Sequence, residues 1–271
     1  MRVIFSRKGF DSAAGGCASP LIDGCPLSLP IPSSRPTPTT YGSLQGPMGQ
    51  IVSDLTRGRL TERSHCHFDP DIEADRMLRD SGWRGALGQV AAAQGHLSRQ
   101  GVTRGDLFLF WGLFRPAEFR GRWQFCGERE NRIFGWLQID AVEPTGVDPR
   151  STLRHYPWLR EHPHVHGDWS AENTIYVASP ALSFRSDRPG WGVFKRGLRL
   201  TAAASRLPSE WQVPSWLNPR IGGTGMTYHP LERWSESGLC RVAARGQEFV
   251  ADIGERADAM EWLDRMFDEA V

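Results

Sequence analysis

The chain has 271 residues, a formal net charge of +1 and 39% hydrophobic residues, 11 Trp among the aromatics. This is ample material for a buried core. The balanced charge excludes a strongly basic body, so any nucleic-acid contact must use a local patch. No apolar run approaches the roughly 18 residues of a membrane span, and Val3-Ile-Phe5 is too short for a secretory h-region. The five scattered Cys include no Cys-x2-Cys pair and read as reduced thiols of a cytoplasmic protein.

Arg2-Val-Ile-Phe5 reads as a strand. It opens into a Gly- and Pro-rich stretch that holds Lys8, Asp11, Ser12 and Asp23. A strand leading into charged and hydroxyl side chains can present a polar site on a rigid edge. The same pattern fits a solvated turn. Neither a Walker loop nor a dinucleotide fingerprint is present. Residues 33–60 read as an extended loop, with a short helix over 51–60.

His65 and His67 alternate with Asp69 and Asp71 at the same spacing. Imidazoles with carboxylates can hold a divalent metal or supply a base and its orienting partner. Asp69-Pro70 reads equally well as a helix N-cap. Residues 83–100 suggest a helix stopped by Gly101. Gly105 to Phe114 is an apolar and aromatic run expected of a strand buried on both faces. Residues 133–139 form its expected partner, with Gly112 and Gly135 as bulges or close approaches. Trp136 lies in that partner, where rings either stack on bases or pack a core.

Four of the eight His fall in 155–166. His162, His164 and His166 alternate, which fits either a metal site or free imidazoles on a mobile surface loop. Asn173 to Ala178 is a third strand. Gly190 to Gly197 joins Trp191 to Lys195 and Arg196, a set suited to phosphate and a stacked base, or to a hairpin tip. Residues 209–216 are Trp- and Pro-rich, as in a cover. Residues 241–251 read as the last strand and hold Glu248, and 255–269 as an amphipathic helix. Strands without regular helices between them argue against a doubly wound sheet. The expected fold is α+β: one mixed domain over 1–271, with a largely antiparallel sheet, open or barrel-like, and peripheral helices.

Lys8-Gly-Phe-Asp-Ser12, Gly15-Gly16, Ser19-Pro20, Asp23-Gly24 and Ser28-Leu-Pro-Ile-Pro32 occur in that order. Later come His67-Phe-Asp-Pro-Asp71, Gly105-Asp-Leu-Phe-Leu-Phe110, Phe134-Gly-Trp-Leu-Gln138, Asn173-Thr-Ile-Tyr-Val177 and Gly246-Gln-Glu-Phe-Val250. The set resembles the third family of nucleotide-modification-associated domains across nearly the whole chain. The resemblance implies an enzyme acting on nucleotides or DNA bases, partnered by nucleotide or DNA and by other enzymes of a DNA modification system. It names no cofactor. On this reading Lys8 holds phosphate or a developing anion. His67 with Asp69 serves as base or metal ligands, with Asp11 and Ser12 beside them. Asp23, Trp136, Trp191, Lys195 and Arg196 would bind substrate. The segment Arg245 to Val250 also resembles the one carrying the catalytic Glu of DNA-targeting ADP-ribosyltransferases, which implies Glu248 as general acid/base or cation stabiliser. The alternatives are an NAD-dependent enzyme of that kind, and a non-catalytic reader of modified or flipped bases.

Overall fold

A computed structural model describes residues 1–33, 37–244, 246 and 248–269. In chain order its elements are β1 (Arg2–Arg7), β2 (Ser19–Ile22), β3 (Cys25–Pro26), β4 (Ile31–Pro32), α1 (Met48–Leu55), β5 (Cys66–His67), β6 (Ala86–Gln89), α2 (Ala91–Arg99), β7 (Leu107–Phe119), β8 (Trp123–Phe125) and β9 (Glu130–Pro144). They continue with α3 (Arg150–His155), β10 (Thr174–Ala178), β11 (Trp191–Arg199), β12 (Glu210–Gln212), β13 (Leu239–Arg241), β14 (Glu248–Asp252) and α4 (Ala257–Glu269).

Ten strands form one mixed sheet, whose main path runs β14-β1-β7-β9-β10-β6. The β1–β7 and β2–β7 pairs are parallel and the other pairs antiparallel. The expected mixed α+β architecture is therefore present. The barrel is not: β14 and β6, the ends of the path, share no ladder. Two bulges bend the sheet, since Phe134 and Asp140 of β9 stand as extra residues against β7 and β10. Two residues after β6 the chain enters α2 at Ala91, whose φ is +51°. Helix α2 then packs against β14 in the gap.

Alternation along β1 sorts its side chains. Val3 and Phe5 enter an outer core with Trp111, Trp136, Trp211 and Phe267. Ile4 enters an inner core with Phe108, Phe110, Tyr176, Leu97 of α2 and Val250. The apolar stripe of α4, Ala259, Leu263, Met266 and Phe267, closes the outer face. A large apolar side chain buried in this way contributes about 1.5–3 kcal/mol. Helix α1 and the surrounding loops make a third core around Phe10 and Tyr41.

Several elements differ from the sequence expectation. The 33–60 stretch carries α1 three residues earlier than expected. Residues 83–100 split into β6 and α2, although Gly101 does stop the helix, at φ +66°. Residues 190–197 belong to a strand paired with β9 rather than to a hairpin tip. Trp211 and Trp216, expected in a cover, are fully buried in the outer core because the cover is itself the core's second layer. The expected last strand divides into β13 and β14, and Arg245 and Gln247 between them lie outside the described residues. The five Cys are free. Among the described residues no helix is long and apolar enough to cross a membrane.

Candidate functional site

Glu248 opens β14 opposite Ser6 in the ladder. Its Oε1 accepts from Ser6 Oγ at 3.0 Å, from the Lys8 ammonium at 3.3 Å and from the side-chain amide of Gln89. Gln89 ends β6, so this carboxylate links the two ends of the open sheet. Glu248 is 1% exposed, and its Oε2 has no hydrogen-bond partner among the described residues. A buried acceptor left bare costs about 1–3 kcal/mol, so Oε2 is a place where a ligand's donor would be stabilised.

The residue before Gln89 leads to the second half of the site. Gly88 donates its backbone N–H to Asp69 Oδ1 at 2.8 Å. His162 Nε2 lies 3.3 Å from the same oxygen. The His162 Nδ1 accepts from the His164 amide at 3.2 Å, which places the proton of the neutral ring on Nε2, toward Asp69. Two donors thus hold Oδ1 and leave Oδ2 to face two further imidazoles, His67 Nε2 at 3.9 Å and His164 Nε2 at 4.0 Å. His164 donates Nδ1–H to Asn173 Oδ1 at 2.7 Å, so its Nε2 lone pair points into the cluster. Gly88 is what lets that ring lie on the strand: a Cβ there would come 2.1 Å from His164. The Trp169 indole stacks on His164 with centroids 4.4 Å apart and forms a half-buried roof.

Burial sets the protonation of these groups. It pushes His164 down to about 3, against the pull of Asp69. It also lowers His67, with the charges of His162 and Lys8 acting in the same direction. The Lys8 charge therefore bears on both halves of the site. Burial disfavours the Asp69 carboxylate, yet the His162 hydrogen bond and the surrounding imidazoles outweigh it and hold the carboxyl well below its usual range. At neutral pH the Asp69 carboxylate is ionised and the His67 and His164 rings beside it are neutral. Among the described residues, His67, Asp69 and His164 form a group whose donor atoms all lie within 4.8 Å of one another. They could hold a metal ion.

The sequence candidates divide accordingly. Lys8, His67, Asp69 and Glu248 converge. Asp69 caps no α-helix; the next turn is a 3-10 turn at Ala74–Arg76 that follows Glu73. Asp71 is taken by Arg79, which grips it with both terminal nitrogens. His65 binds the Thr37 carbonyl, and His166 turns outward to the Arg160 carbonyl. Asp11 Oδ1 accepts from the Ala13 and Ala14 amides at 2.7 Å and so caps its own turn. Asp11 and the exposed Ser12 line a separate outer cleft of about 810 Å³, which Lys8 also borders. Asp23, at φ +50°, and Gly24, at φ +79°, form the two-residue tip of the β2–β3 hairpin. Trp136 is a core residue that donates its indole N–H to the Pro189 carbonyl at 3.0 Å. Trp191 packs over Gly85 and edge-on to Trp83. Lys195 and Arg196 are exposed on the irregular part of β11. They face neither half of the site through any hydrogen bond or ion pair among the described residues.

Ser6, Gln89, Asn173 and Trp169 carry roles that the sequence reading did not give them. Of the two readings of His162 and His164, a metal site or free imidazoles on a mobile surface loop, the surface loop is not what the structure has: a 3-10 turn at Pro163–Val165 carries both inside, at 2% and 3% exposure. Their alternation was the available signal.

A family model described as nucleotide modification associated domain 3 matches residues 2–252. No curated protein and no solved structure matches the chain.

Proposed function

The chain belongs to the nucleotide modification associated domain 3 family, and on that premise we propose that it is an enzyme that modifies a base in nucleotides or DNA. The carrying observation is the convergence of Lys8, Glu248, His67 and Asp69 from three separate segments on one buried polar end of the sheet. A domain that only packed a core would not maintain a bare carboxylate oxygen there. In this reading Glu248 Oε2 takes or returns a proton at the reacting base. Lys8 places a positive charge where negative charge develops. Arg7, Arg129, Arg233 and Arg241 of the adjoining cleft hold the nucleotide phosphate, and Lys8 joins that cleft to the site. With few cationic contacts, DNA binding should depend only moderately on salt, with a slope of log affinity on log salt of about −2 to −5.

The test compares cells that produce the wild type with cells that produce Glu248→Gln. DNA and the nucleotide pool are digested to nucleosides and analysed by mass. A new nucleoside that depends on Glu248 is expected. The same product at the same level from both proteins overturns the role of Glu248. No new nucleoside, together with no binding of nucleotide or DNA by the purified protein, overturns the reading as a whole.

A further inference from the structure

We infer that His67, Asp69 and His164 form a binding site for one divalent transition-metal ion. Two observations carry this. First, Asp69 Oδ2, His67 Nε2 and His164 Nε2 face one another, and neither Nε2 has a hydrogen-bond partner among the described residues. Second, the groups behind them are arranged as they are behind metal ligands: Asn173 fixes the His164 tautomer, while Gly88 and His162 occupy Asp69 Oδ1 and leave Oδ2 free.

The donor set is two nitrogens and one oxygen with no thiolate, which suits zinc, iron, cobalt or nickel better than calcium or magnesium. Metal–ligand bonds of about 2.0–2.1 Å set tetrahedral donors about 3.3 Å apart. The present 3.9 and 4.0 Å separations close to that with inward shifts of about 0.6 Å by each ring. Three protein ligands leave a coordination position open, the pattern of a reactive site rather than a structural one. His67, with an 18% exposed side chain, is the ligand nearest solvent and marks the entry side.

The test uses metal alone. Full-length protein is stripped with a chelator and titrated with Co²⁺ and Zn²⁺, following cobalt absorption and heat. One equivalent is expected to bind. Asp69→Asn and His164→Gln should weaken binding at least 100-fold, and Asn173→Ala by about 10- to 100-fold, as for the loss of a group that orients a ligand. His67→Gln changes the most accessible ligand, the one whose replacement least disturbs packing, and should also weaken binding at least 100-fold. His166→Ala, at an exposed imidazole outside the cluster, should leave binding unchanged. Failure of the wild type to bind one equivalent of either ion overturns the inference. So does unchanged affinity in a folded His67→Gln protein. Neither result bears on the nucleotide reading, because no nucleotide enters the experiment.

Discussion

Two buried imidazoles differ in how their ring nitrogens are spent. In the outer layer His229 donates Nδ1–H to the Thr227 carbonyl at 2.8 Å and accepts the Ala243 amide on Nε2 at 3.0 Å. Both nitrogens are spent on backbone, and the ring sits edge-on to Phe249 with centroids 4.6 Å apart. At the polar end His164 is as deeply buried, but only Nδ1 is spent, on Asn173, while Nε2 faces a carboxylate with no donor between them. Burial and residue type are the same. The difference is one uncommitted lone pair beside a second uncommitted group. That combination is costly in a core unless it binds something.

The largest effect expected from this contrast lies in paired substitutions. His164→Gln should lower turnover to the modified nucleoside by about 10²- to 10⁴-fold, the range for loss of a reacting or reaction-positioning group. His229→Gln should lower it less than about threefold once corrected for folded protein. Equal losses would erase the distinction between the two rings. Stability should respond the other way: His229→Ala removes ring packing and leaves the buried Ala243 amide without an acceptor, at a cost of about 2–4 kcal/mol in denaturant unfolding. A cost below about 1 kcal/mol would show that His229 is not the anchor its two hydrogen bonds suggest.

The smallest effect is in the pH dependence. Burial lowers the His229 pKa, opposed by the Thr227 carbonyl and aided by the Arg233 charge. Its contribution to stability is thus complete above about pH 6.5, the value in the unfolded chain. It is lost as pH falls below that, because the unfolded state then binds the proton first. Each such group adds a slope of up to about 1.4 kcal/mol per pH unit. His67, His96 and His164 share the direction and titrate in both proteins. The difference between wild type and His229→Gln, read from urea midpoints between pH 7 and 5, isolates His229. An identical slope in the two proteins would mean that the ring accepts a proton in the folded state and that its bond to Ala243 is dispensable.

What the sequence determined by itself was local. The apolar run from Leu107 to Phe114 reads as a strand buried on both faces, and it became the first part of β7. The stripe of 255–269 could only be a surface helix with one buried side. Lys8 stood out in the polar stretch after an apolar strand, His67 and Asp69 by their alternating spacing, and Glu248 by the resemblance of its segment. What only the tertiary structure decided was which of these meet. Glu248 and Gln89 are 159 positions apart and touch because two bulges in β9 curl the sheet until its ends approach. No residue pattern marks the amount of that curl. Trp136 looked like a stacking platform because a ring has the same composition in a core as in a pocket; a strand's period of two assigns it a face but not what covers that face. His162 and His164 looked solvated because Pro163 and Gly167 flank them. They are buried because Gly88, far away in the chain, leaves a space without a side chain into which the His164 ring fits.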